Sequence, residues 1–162
     1  MKYTVVRDSR EREGEGWFWK SSRYCDGTVR GTLQTGDYTL QGYHEMLIIE
    51  RKGSISEWAT NITQARFERE LERMAKIRFP FILLEFTLTD VMNYPIGSTI
   101  PKRLWGKLHF KGPYILKKTI EFQMKYDNVK IIFCGGSGKE VASSIFKRAI
   151  EIIEDVQDSR TA

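Results

Sequence analysis

The stretch that most constrains this chain runs from Gly36-Asp37-Tyr38, through Thr39-Leu40 and Met46-Leu47-Ile48-Ile49, to Glu50-Arg51-Lys52. Two short apolar, β-favouring runs flank the segment Gln41 to Glu45, which contains Gly42, and this is the pattern of a β-hairpin with a longer loop. Such a fold-back brings Asp37 and Glu50 together. Because strand side chains alternate between faces, Glu50 and Lys52 share one side while Arg51 points to the other. Two hard carboxylates can hold Mg²⁺ or Mn²⁺, with waters and a phosphate completing the octahedron, and a lysine beside them can orient a water or stabilise developing charge. Taken singly, Gly36-Asp37 also reads as an ordinary turn and Glu50-Arg51-Lys52 as a solvated strand end. Their pairing across a hairpin is what points to phosphodiester chemistry.

Upstream, Lys2 to Arg7 is a β-rich run that reads as the first strand and delivers Asp8, Arg10 and Glu11 to its C-terminal edge, where α/β sheets form their sites. Glu13 to Gly27 contains Gly14, Gly16, Trp17, Phe18 and Trp19; a short or loosened helix is expected there, with its aromatics in the core. Thr28 to Leu33 reads as a further strand. After Lys52, Ser54-Ile55-Ser56-Glu57 has the form of a helix-starting capping box. Ile55, Trp58, Ala59 and Ile62 then form one apolar stripe, and Phe67, Leu71, Met74 and Ala75 a second, out of phase, which predicts a break near Thr63 to Ala65. Pro80 to Phe86 and Val129 to Cys134 read as buried strands, with Glu85 in a structural role, and Tyr114 to Tyr126 and Gly138 to Val156 read as helices. The order of elements implies an α/β domain with a mixed central sheet flanked by helices.

A chain of 162 residues is expected to form one domain, and no apolar run approaches the roughly 18 residues of a membrane helix. An acid at position 8 precedes any signal-peptide core, and Cys25 and Cys134 lack metal-ligand spacing, so an intracellular protein without disulfides or zinc is expected. The formal net charge of +5 is compatible with a polyanionic partner, and its distribution is more telling. Between Asp90 and Glu121 there is no acid, while Lys102, Arg103, Lys107, Lys111, Lys117 and Lys118 are interleaved with Trp105, Phe110 and Tyr114. Such a segment can neutralise phosphates and stack on an unpaired base; an ordinary surface loop and helix is the other reading. Gly135-Gly136-Ser137-Gly138-Lys139 is no P-loop, since Phe133 and Glu140 stand where glycine and Ser or Thr are needed; Ser137 with Glu140 reads as a second capping box. Neither His44 nor His109 has a catalytic partner in the sequence.

Three segments carry a resemblance. In order, Val5-Val6-Arg7-Asp8-Ser9-Arg10-Glu11, Gly36-Asp37-Tyr38 and Ile48-Ile49-Glu50-Arg51-Lys52 are similar to the motifs of the XPF family of structure-selective DNA nucleases, a PD-(D/E)XK, restriction-endonuclease-like group. The resemblance is close from Val5 to about Leu84 and holds in outline from Tyr114 to Val156, which leaves about 90–111 as a basic insertion in a single nuclease domain, 1–162. It implies a Mg²⁺-dependent (or Mn²⁺-dependent) endonuclease acting on branched, flap or junction DNA. Asp8, Arg10, Glu11, Asp37, Glu50, Arg51 and Lys52 are its catalytic set, and Asp37 and Glu50 its metal ligands. Arg66 falls where members often have a basic residue and joins Lys102, Arg103, Lys107, Lys111, Lys117 and Lys118 as candidates for DNA contact. The family's further acid falls on Ser56; Glu57, one residue later, either replaces it or caps the helix. A non-catalytic DNA-binding module on the same fold, or a recombination exonuclease or resolvase, is the alternative. Family members also pair and carry tandem helix-hairpin-helix units, for which no sequence remains after Ala162. A homodimer through Val141 to Val156, widened by Phe146 and Ile150, or a partner bearing those units, is therefore expected, unless that broad stripe is simply buried in a monomer.

Overall fold

A computed structural model describes residues 2–161. The hairpin is its centre: β3 (Tyr38–Leu40) and β4 (Leu47–Lys52) pair antiparallel, with Tyr38 opposite Ile49. On one side, β3 pairs antiparallel with β1 (Tyr3–Asp8), which runs parallel to β2 (Cys25–Gly31). On the other, β4 runs parallel to β5 (Phe79–Leu84), and β5 to β6 (Lys130–Phe133). The sheet order β2-β1-β3-β4-β5-β6 is therefore mixed, antiparallel only around β3.

Helices cover both faces. Against one lie α1 (Ile55–Asn61), α2 (Ala65–Met74), α3 (Leu88–Asn93) and α4 (Gly112–Lys125), closing over Val6, Ile48, Ile82 and Leu84 with Trp58, Leu71 and Ile115 fully buried. Against the other lies α5 (Gly138–Thr161), whose Ala142, Phe146 and Ala149 meet Val5, Leu40, Ile49 and Leu83. The period-two alternation of β1 and β4 thus divides their residues between two cores: Val6, Asp8, Ile48, Glu50 and Lys52 look one way, Val5, Arg7, Ile49 and Arg51 the other. The broad stripe of α5 is only partly covered. Val141, Ile145, Ile150 and Ile152 are half-buried, and Ile145 and Ile152 border a shallow groove with Phe79 and Phe81.

The expected break between α1 and α2 is present, with Ile62 to Gln64 between the two helices. Ser54 caps α1 by accepting a hydrogen bond from the Glu57 backbone (3.2 Å), while the Glu57 carboxylate accepts from the Gly53 N–H (2.9 Å). Three expectations need correcting. No helix forms over Glu13 to Gly27, because Gly14 and Gly16 take φ of +81° and +76°, the left-handed region; the chain instead runs irregularly and carries Trp17 and Trp19 onto Tyr38. Ser137 does not cap α5, since Gly135–Ser137 is a 3₁₀ turn that runs straight into it. The short helix α3 replaces part of the expected loop, and Thr87 and Asp90 form a complete capping box at its start. Among the described residues no helix is long and apolar enough to cross a membrane.

Candidate active site

Asp37 is pinned by the backbone around it. Its N–H donates to Ile49 O (2.9 Å), its carbonyl accepts from the Asp8 N–H (2.8 Å), and its Oδ2 accepts from the Arg51 N–H (2.7 Å). The preceding Gly36 has φ +72°, and a Cβ there would lie 2.3 Å from Ile48 Cγ1, so only glycine lets the loop close this tightly on β4. Asp8, 4% exposed, is equally committed: Oδ1 accepts from the Leu33 N–H (3.1 Å) and Oδ2 from Arg10 Nε (2.7 Å), while Arg10 Nη2 donates to Leu33 O (2.5 Å). Asp8 therefore holds the loop after β2 and aims Arg10.

Asp8, Arg10, Asp37, Glu50 and Lys52 line a cavity of about 440 Å³ at the C-terminal ends of β1 and β4. Its far wall comes from Glu57 and Asn61 on α1 and from Arg66, Glu70 and Arg73 on α2. Lys52 Nζ contacts Glu50 Oε1 at 2.5 Å. Burial pushes the Asp37 carboxyl up to about 7; the Arg51 N–H opposes the rise, and the charge of Glu11 adds to it. Glu50 is raised well above the usual carboxylate range, first by burial and next by Asp37, against the pull of Lys52. Burial would lower Lys52, but the charge and hydrogen bond of Glu50 outweigh it and keep the ammonium protonated. Glu50 and the half-buried Asp37, raised mainly by burial and repelling each other, lie open to a cavity where a bound cation would favour their ionised forms.

The donor set fits a hard divalent cation. Two protein carboxylates with the remaining positions left to water and substrate oxygens is the usual manner of binding Mg²⁺. Among the described residues no cluster of three or more acidic, histidine or cysteine side chains is drawn into metal-ligating range. Asp37 and Glu50 would hold the ion.

Two of the expected catalytic residues lie elsewhere. Arg51 and Glu11 are on the opposite face of the sheet, where Arg51 Nη2 bonds Glu85 Oε2 (3.1 Å) and Glu11 Oε2 sits 3.8 Å from both Arg51 and Arg7. Arg7 also donates to Arg12 O (2.7 Å) and to Glu15 O, and a Cβ on Gly16 would lie 2.2 Å from the Tyr38 hydroxyl and 2.5 Å from Glu11. These residues tie the irregular segment to the sheet. Of the basic candidates, only Arg66 borders the cavity. Lys102, Arg103 and Lys107 ride an exposed 3₁₀ turn, Lys111 precedes α4, and Lys117 and Lys118 pair with Glu121 at 3.9 and 2.8 Å. Glu57 both caps α1 and borders the cavity. Glu70 and Arg73 are cavity residues that no motif singles out, yet Arg66, Glu70 and Arg73 are spaced i, i+4, i+7, one polar face of α2.

Glu50 and the half-buried Asp37 sit with Lys52 at one edge of a mixed α/β sheet. The comparisons then give the family: the ERCC4 domain model matches residues 7–147, and the chain belongs to this family, whose members include structure-specific DNA nucleases. Among solved structures, XPF from Aeropyrum pernix matches at 20% identity and a TM-score of 0.61, over 96% of this chain and 69% of that one. XPF from Aeropyrum pernix in complex with DNA matches at 18% identity and 0.60, over 93% and 66%. The architecture is thus the XPF nuclease fold, restriction-endonuclease-like, as expected. No curated protein matches the chain.

Proposed function

We propose that this chain is a Mg²⁺-dependent (or Mn²⁺-dependent) DNA endonuclease acting near branches, flaps or junctions. The observation that carries the reading is the convergence of Asp37 and Glu50, from the two arms of one hairpin, on a cavity they share with Lys52 and Arg10. When bound, the ion supplies an activated water and charge neutralisation at the scissile phosphate. Lys52, held protonated against Glu50, is a charge donor and not a general base: it orients the water or stabilises charge building on the phosphate. Arg10 is 65% exposed yet anchored by Asp8, which suits it to grip a neighbouring phosphate at the rim, with Arg66 across from it. Arg51 and Glu11 act at a distance, holding the strand that presents Glu50 and Lys52. The basic 3₁₀ turn and α4 extend the phosphate-contacting surface, and a second copy of the chain or a helix-hairpin-helix-bearing partner completes the grip on duplex DNA. The Aeropyrum pernix structure with DNA supports the choice of polymer.

A panel of fluorescent linear, flap and four-way DNAs, incubated with and without MgCl₂, tests the proposal. Metal-dependent cutting of branched substrates in preference to linear ones is expected; no cutting of any substrate would return the chain to a non-catalytic binding module.

A further inference from the structure

A second cavity, of about 740 Å³, adjoins the carboxylate site and shares Gln34, Thr35 and Arg73 with it. Its lining differs in kind. Leu33 and Ile48, 4% and 2% exposed, give it an apolar floor that the half-buried Ile77 extends. Arg73 and Lys76, from α2 and the turn after it, bring positive charge; Thr32, Gln34 and His44 bring polar groups, and Glu45 is the one acid among the lining residues. At the junction of the two cavities, Thr35 is 9% exposed and its Oγ1 has no hydrogen-bond partner. A buried hydroxyl left unpaired is costly, and an oxygen or nitrogen of a ligand crossing the junction would satisfy it.

We infer that this second cavity receives the nucleotide next to the scissile phosphate, unpaired and turned out of the helix, an inference that rests on the DNA-directed reading above. Apolar floor, cationic wall and neutral polar groups match the three parts of a nucleotide: base ring, phosphate and base edge. The volume lies inside the roughly 300–1,000 Å³ of small-molecule sites. A continuous duplex has no unpaired nucleotide to offer and must spend unstacking energy to present one, whereas the single strand at a branch or flap offers one freely. The cavity therefore gives a single domain a preference for branch points before any partner contributes.

The test is equilibrium binding of the full chain to a fluorescein-labelled flap DNA in CaCl₂, by anisotropy, with one abasic residue moved in turn through each position around the branch. One position is expected to stand out, weakening binding roughly tenfold, the scale of losing one stacked base, with its neighbours within about twofold. Thr32→Trp and His44→Trp, which fill the cavity from exposed positions on two different loops, should each remove that penalty while leaving the melting temperature near that of the parent. A flat scan, or a penalty that survives in both filled variants, overturns the inference. If one position stands out in CaCl₂ but nothing is cut in MgCl₂, the nucleotide site holds and the nuclease reading falls.

Discussion

The two faces of β4 both carry charge, and they carry it in opposite ways. On one, Glu50 and Lys52 meet Asp37 at a cavity, and the carboxyls are forced upward in pKa first by burial and then by neighbouring negative charge. On the other, Arg7, Glu11, Arg51 and Glu85 form a row of alternating cations and anions, neighbours 3.1 to 3.8 Å apart. Glu11 is also raised by burial, but Arg51 and Arg7 pull it back. The first face holds electrostatic stress that a cation can relieve; the second pairs its charges internally, although burial still leaves the Glu11 carboxyl raised. Charged residues in one short motif can thus divide between a cavity and an internal ion-pair row, and the strand's alternation decides which goes where.

The largest effect should come from the cavity face. Asp37→Asn or Glu50→Gln is expected to lower cleavage by roughly a hundredfold or more, on the scale of removing a preorganised charged group, with the fold retained in circular dichroism. At pH 8 without metal, Asp37→Asn should melt no lower than the parent, because a stressed buried charge has been removed, whereas Glu50→Gln leaves the buried Lys52 without its partner and should melt lower. Cleavage at the parental rate by either variant would break the contrast between the faces.

Arg51→Met should do the reverse. It leaves Glu11 and Glu85 without their shared cation in a partly buried setting, for a loss of about 2 kcal/mol in urea unfolding. Activity should fall with stability, and recover in part when the assay is run at lower temperature. An Arg51→Met variant of full stability but no activity would move Arg51 to the catalytic side.

Titration sharpens the comparison further. A carboxyl whose folded pKa lies above its unfolded value supports the fold while protonated, and this contribution, full below about pH 4, disappears as pH rises through about 7 for Asp37. A bound divalent ion favours the ionised form, so the rise in melting temperature on adding MgCl₂ should be small at pH 5.5 and larger at pH 8. Asp37→Asn should flatten this response, whereas Arg51→Met should keep it. The smallest effect belongs to the periphery. Lys107, Lys111 and Lys117 changed together to Ala should reduce the salt dependence of DNA binding by about one counterion for each phosphate no longer neutralised; an unchanged slope would make that surface ordinary.

The hairpin and the division of β4 between faces are legible in the sequence because alternation and a glycine-bearing loop are local signals. Asp37 and Glu50 follow from them directly. Glu11 is not placed by the same logic: it sits in an irregular segment with no period, and only Gly14, Gly16 and the packing of Trp17 decide that it joins Arg51 and not Asp8. Local spacing shows that Arg66, Glu70 and Arg73 share a face of α2, but that this face closes the cavity depends on how α2 packs on the sheet. The short α3 is a different case, since Thr87-Leu88-Thr89-Asp90 announces a helix start in sequence, a signal masked by the long acid-free, basic segment that follows it.

Asp37 and Glu50 are proposed to hold a divalent ion. Calorimetric titration of MnCl₂ into the metal-free chain, its Asp37→Asn variant and its Arg51→Met variant tests this proposal without recourse to cleavage. The parent and Arg51→Met should each show one site of similar affinity, and Asp37→Asn should show that affinity reduced about tenfold or more; Mn²⁺ binding to the Asp37→Asn variant as tight as to the parent, or no binding to the parent, would contradict the account.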